Sequence, residues 1–121
     1  GRSKNVIVTQ NGKNIYPEEI DVYFDFLNDF SSGYCTAGYQ DQVTLFVSPK
    51  DYDNFEETEC FAQIRKVNAG LPMNKKVTKL YAFHDPLPRT GKGEVARFQM
   101  AHVLEERADG VKEIKMKGRN V

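Results

Sequence analysis

Apolar and polar positions change period several times along the chain, and each change marks an element. Residues 5–10, Asn-Val-Ile-Val-Thr-Gln, are a β-branched run that stops at Asn11-Gly12, the dipeptide best suited to positive φ in a tight hairpin. Lys13-Asn14-Ile15-Tyr16 reads as a short return strand, so the chain opens on a two-stranded ribbon. Pro17 suits a first helical turn, with Glu18, Glu19 and Asp21 near the positive end of the helix dipole. Ile20, Tyr23, Phe24, Leu27 and Phe30 follow at helical spacing. Val22, Phe24 and Phe26 alternate as a strand would, but the acidic first turn and the length of the run favour a helix that Ser31-Ser32-Gly33 ends.

Two strands are expected next, over residues 34–40 and 42–48, split by Asp41. In the second, Val43, Leu45 and Val47 share one face and Phe46 takes the other. A polar turn over residues 49–54 leads to a helix over residues 55–69. Asp53 or Asn54 is its expected cap, Cys60, Phe61, Ile64 and Val67 its apolar stripe, Gly70 its C-cap and Pro72 its stop. A third strand is expected from about Val77 to His84. Residues 85–93, with two prolines and two glycines, read as irregular structure. Residues 94–106 read as a helix with Val95, Phe98, Ala101 and His102 near one face, ended by Asp109-Gly110. Val111, Ile114 and Met116 fit either a last short strand or an exposed tail. The predicted fold class is α+β: a small mixed sheet of about three strands with packed helices, preceded by the ribbon.

Composition narrows the picture. The 121 residues make one domain, large enough for a core without metal or disulfide. Seventeen basic residues balance seventeen acidic ones, which argues against a duplex-coating nucleic-acid binder. No apolar run approaches membrane-spanning length. Cys35 and Cys60 lack CxxC spacing and read as buried free thiols. His84 and His102 carry no metal-ligand pattern, no spacing joins a nucleophile to a histidine and an acid, and the aromatic residues form no RNP-like or OB-like pattern. The sequence holds no internal repeat.

Two segments carry more polar and glycine detail than folding requires. Residues 12–20, GKNIYPEEI, are either a hairpin turn leading into a capped helix or a glycine turn whose lysine meets a phosphorylated ligand. Residues 87–97, LPRTGKGEVAR, are either a solvated bend or an anion site. In the second case, amides at the start of the following helix would be helped by Arg89, Lys92 or Arg97. The GxxxxGK[ST] spacing of a P-loop is absent.

Together, GRSKNVI with GKNIYPEEI, and LPRTGKGEVAR, resemble the opening and the late LPRTxxGKxxR motif of the C-terminal domain of the adenylate-forming (AMP-binding) superfamily. The wording is closest to long-chain fatty-acid–CoA ligases, and the resemblance covers about residues 1–105. It implies a ligase that makes an acyl-adenylate from ATP and an acid, then passes the acyl group to coenzyme A. Mg accompanies ATP, and no group is held tightly by this domain. The domain would be a lid that rotates between the two steps, with a hinge near residue 4, the ribbon over 5–16, an α+β core over 17–106 and a tail over 107–121.

By residue, the resemblance places Arg2 near the AMP ribose, Lys4 at the hinge, and Gly12, Lys13 and Asn14 on the turn that approaches coenzyme A. In the late motif, ungapped alignment puts Glu94 where the catalytic lysine belongs. A loop of altered length would make Lys92 that lysine instead. A carboxylate at that point repels phosphate and carboxylate oxygens, so a divergent, non-catalytic structural or regulatory lid is the alternative. The implied partner is an N-terminal ATP- and acyl-binding domain of the same chain, without which this domain is expected to be inactive. Small-molecule substrates, no nucleic acid and a cytoplasmic location, with peripheral membrane contact of the parent, complete the expectation.

Overall fold

The computed structural model describes residues 6–8, 12 and 14–116. Its centre is β4 (Gln42–Pro49), a strand buried along almost its whole length. Val43, Leu45 and Val47 point into one core and Phe46 into another, so the alternation read from sequence serves two apolar layers. β4 pairs antiparallel with β3 (Ser31–Tyr39) and parallel with β5 (Lys79–Phe83). β6 (Val111–Lys115) pairs antiparallel with β5, Leu80 facing Ile114. The mixed sheet therefore runs β3-β4-β5-β6. It has a fourth strand because Val111 to Lys115 is a strand, with Ile114 buried against β5.

One face of the sheet is covered by α1 (Pro17–Asp21), α2 (Leu27–Phe30) and α3 (Glu59–Ala69), with Phe24 and Phe55 among the fully buried rings. The other is covered by α4 (Met100–Glu106) through Met100, Val103 and Leu104. α3 carries the chain across from β4 to the parallel β5. It starts where the Thr58 side chain accepts from the Phe61 amide, one 3-10 turn later than the Asp53 or Asn54 cap expected from sequence. At its far end buried Asn68 exchanges two hydrogen bonds with the Val77 backbone, 2.7 and 3.0 Å, fixing the entry to β5.

Two predicted helices are shorter than their periodicity implied. The first breaks into α1, a 3-10 turn over Val22–Phe24, and α2. This arrangement buries Phe24 and leaves Val22 exposed. The last begins only at Met100, after a 3-10 turn over Arg97–Gln99, because Val95 pairs back with Arg89.

The ribbon is present as β1 (Ile7–Val8) and β2 (Asn14–Ile15), antiparallel. Ile7 faces Ile15, whereas a two-residue Asn11-Gly12 turn would set Ile7 opposite Tyr16. The observed register buries both isoleucines against the sheet and leaves Tyr16 at the surface. A Cβ on Gly38 would come within 2.9 Å of Ile7, so the glycine is what lets the ribbon lie this close to β3.

Candidate functional site

The late segment singled out in sequence lies against β3, one edge of the sheet. The late segment is a small hairpin. Thr90 donates to the Glu94 carbonyl at 2.7 Å, Gly93 donates to the Thr90 carbonyl at 2.9 Å, and Ala96 donates to the Pro88 carbonyl at 2.8 Å. Gly91, Lys92 and Gly93 form a three-residue loop, and Gly93 takes φ +88°, the left-handed position such loops reserve for glycine. Lys92 stands exposed at the tip, its amide on the Thr90 hydroxyl. Glu94 is exposed on the returning arm.

The arginines of this segment are committed within the chain. Arg89 donates to the Gly93 carbonyl at 2.7 Å and to the Ser32 carbonyl at 2.5 Å. Arg97 donates to the Thr36 carbonyl at 2.6 Å and pairs with Asp21 at 2.9 Å. Burial works against the Arg97 charge, but the hydrogen bond and charge of Asp21 outweigh it and raise its pKa further. Asp21 also accepts from the Thr36 amide at 2.9 Å and hydroxyl at 2.6 Å. The outward N–H and C=O of Thr36 are thus both covered, which blunts the edge strand. Of the two readings of this segment, the anion site would need free amides at the helix start. Ala96, Arg97 and Gln99 give their amides to chain carbonyls, and the two arginines bind β3 instead.

A cleft of about 700 Å³ opens between the hairpin, α1 and β3, lined in part by Glu18, Asp21, Arg89, Glu94 and Arg97. Three carboxylates face two guanidiniums there, and both guanidiniums already hold chain oxygens. Such a surface offers a phosphate little attraction, so a cation for it must come from Lys92 or from outside the cleft. Beyond Arg97 a second cleft, about 460 Å³, is lined by ribbon residues Val6, Ile7 and Val8 together with Gly38 and Phe98. Ribbon and late segment therefore border the same edge.

Of the early segment, Gly12 is exposed at φ +79° with open space around it, and Asn14 is exposed on β2. Gly12 thus serves backbone conformation rather than close packing. Arg2, Lys4 and Lys13 lie outside the described residues. His84 meets Asp85 at 3.1 Å and His102 meets Glu106 at 3.0 Å, all four exposed. Cys35 and Cys60 are buried free thiols. Among the described residues no group of three or more His, Cys, Asp or Glu side chains is placed to hold a metal, and no helix is long and apolar enough to cross a membrane. Sequence reasoning missed Asp21 as the anchor of Arg97, since nothing local links an acid in α1 to an arginine so far along the chain.

No family model and no curated protein sequence matches the chain. Solved structures do. Two ATP-bound RpMatB-BxBclM chimeras are similar over 88% of this chain, at 26% and 25% identity and a TM-score of 0.63 each. The chain is homologous to adenylate-forming ligases. It spans 21% of the length of either chimera. The unliganded O-succinylbenzoate coenzyme A synthetase (MenE) of Bacillus subtilis shares the fold over 91% of this chain and 21% of its own, at 19% identity and a TM-score of 0.60. In each of these three structures the matched region is about a fifth of a longer chain.

Proposed function

We propose that the chain is the mobile C-terminal lid of an ATP-dependent acyl-CoA ligase that acts on a fatty acid. One observation carries the reading: almost the whole chain matches a minor fraction of much larger ATP-bound proteins. In the first step an oxygen of the acid attacks the α-phosphate of ATP, and the bond to pyrophosphate breaks. In the second the thiol sulfur of coenzyme A attacks the acyl carbon, and AMP leaves. Both partners of the first step are anionic, so its barrier is lowered by a cation held where the charges meet. Lys92 fits that role: exposed, at a hairpin tip, and in none of the ion pairs among the described residues. Arg2 would meet the ribose, Lys4 would serve as hinge, and Gly12, Lys13 and Asn14 would line the approach of coenzyme A. Closure by a rotating lid also excludes water from the adenylate. Mg arrives with ATP and would be held by the large domain of the parent.

Glu94 favours a second reading, a divergent lid that supports no adenylation. It lines the cleft, and at the family lysine's place, where ungapped alignment would put it, its charge would oppose both reactants.

Peptide mapping of the native polypeptide comes first, and the lid reading expects a mass several times that of this chain, with peptides upstream of Gly1. In that full-length protein, pyrophosphate exchange measures adenylation, and thioester formation from presynthesised fatty acyl-adenylate measures the second step. Lys92→Ala is expected to lower the first by roughly 100-fold and to spare the second. Unchanged exchange in Lys92→Ala would remove Lys92 from the site. A weak wild-type exchange that rises in Glu94→Lys would assign the deficit to Glu94. Absence of both half-reactions would leave the non-catalytic lid.

A further inference from the structure

Arg89 and Arg97 flank the late hairpin, and both reach across to the free edge of β3. Arg89 binds the Ser32 carbonyl while also closing on Gly93 of its own loop. Arg97 binds the Thr36 carbonyl and is held in turn by Asp21. The two acceptors lie one on each side of Gly33, and a Cβ on Gly33 would meet the Arg89 guanidinium at 3.0 Å and Val95 at 3.3 Å. The hairpin is therefore seated against a gap in the edge strand and tied down at both ends.

We infer that Arg89 and Arg97 are positioning residues, a pair of straps that aim the Lys92–Glu94 tip by holding the hairpin to β3, and that they do not bind the nucleotide. The inference deepens the ligase reading and, for its kinetic part, rests on it. Its physical basis is that a guanidinium already donating to backbone carbonyls has lost part of its fork for phosphate. A hairpin with a three-residue loop and one bridging pair also has too little contact of its own to hold a tip still. With the straps in place, hairpin, ribbon and sheet turn together when the lid turns. Arg97 has a second duty, covering Asp21, whereas Arg89 is exposed and can be removed without opening the core.

The test uses the full-length protein that carries the chain. Hydrogen exchange in peptides spanning residues 88–97 should speed up by roughly tenfold in Arg89→Ala, as expected for loss of a charge-assisted hydrogen bond. Exchange unchanged in Arg89→Ala overturns the strap. In pyrophosphate exchange, Arg89→Ala and Arg97→Lys should lower kcat with the KM for ATP unchanged, and leave thioester formation from the adenylate intact. Gly33→Val, which pushes the hairpin away without removing charge, should do the same; Arg89→Ala stands alone if that variant does not fold. A raised KM for ATP at constant kcat would make the arginines nucleotide ligands and overturn the inference. A wild type without adenylation would refute the ligase reading, while the exchange rates still decide whether the straps hold the hairpin.

Discussion

Four groups converge on Asp21. Its carboxylate accepts from the Thr36 amide and hydroxyl and from Arg97, and its carbonyl accepts from the Tyr34 hydroxyl at 3.0 Å. On the opposite face of β3, between Tyr34 and Thr36, the Cys35 thiol is sealed into the second core. Burial pushes its pKa up to about 12, with Arg97 pulling the other way and Asp21 adding to the rise. Burial likewise raises Cys60 to about 11. A thiol whose pKa is higher folded than unfolded contributes stability in full below its unfolded value, about 8.5. That contribution is lost as pH rises toward the folded value. At pH 10 the loss from Cys35 alone should be roughly 2 kcal/mol. Urea melts of wild type and Cys35→Ala at pH 7 and pH 10 measure it: the variant should lose less stability between them, and equal losses would show that the thiol is not the sensor. The sequence had read both cysteines as buried free thiols, and they are. It could not tell a strapping arginine from a ligand-binding one, because a guanidinium looks the same in both roles until its partners are known.

Elements were legible where one force set them and illegible where two competed. The β3–β4 hairpin follows from alternation, and its two-residue turn falls on Gln40 and Asp41, both left-handed at φ 55° and 63°. That conformation suits the twist of the strands but is strained for side-chain-bearing residues. Asp41→Gly should therefore stabilise the protein by about 0.5–1 kcal/mol, read as a higher urea midpoint at constant slope; a lower midpoint would mean that the Asp41 side chain supports the turn. The run from Pro17 to Phe30 carried a helical period throughout. Packing instead broke it into α1, a 3-10 turn and α2, which delivers Asp21 to the β3 edge and Phe24 to the core. Likewise the apolar period of residues 94–106 gave no sign that Val95 would pair with Arg89. In the ribbon, Asn-Gly favoured one register and burial of two isoleucines decided another. Local preference at a turn is small beside the burial of two such side chains.

At the scale of the whole molecule, the sheet is a wall with apolar layers on both sides. The neighbours Leu45 and Phe46 anchor opposite layers, 0% and 1% exposed. The proposed lid must keep its shape while it turns, and a shared central strand would do this by making the layers interdependent. If the helical layer over Leu45 opened alone, it would strip one face of β4 and loosen the backbone that positions Phe46 on the other. Leu45→Ala should cost about 2–5 kcal/mol and Phe46→Ala about 3–5 kcal/mol. Both should shift the same single transition, seen as superimposable melts by far-UV and near-UV circular dichroism. Were Phe46→Ala to split the transition, with α4 and the late hairpin melting first, the molecule would be two units hinged along the sheet. The hairpin tip would then move independently of the ribbon. That outcome would tie the aim of Lys92 and Glu94 to α4, through Met100 and Val103 on the Phe46 face, more than to the sheet edge.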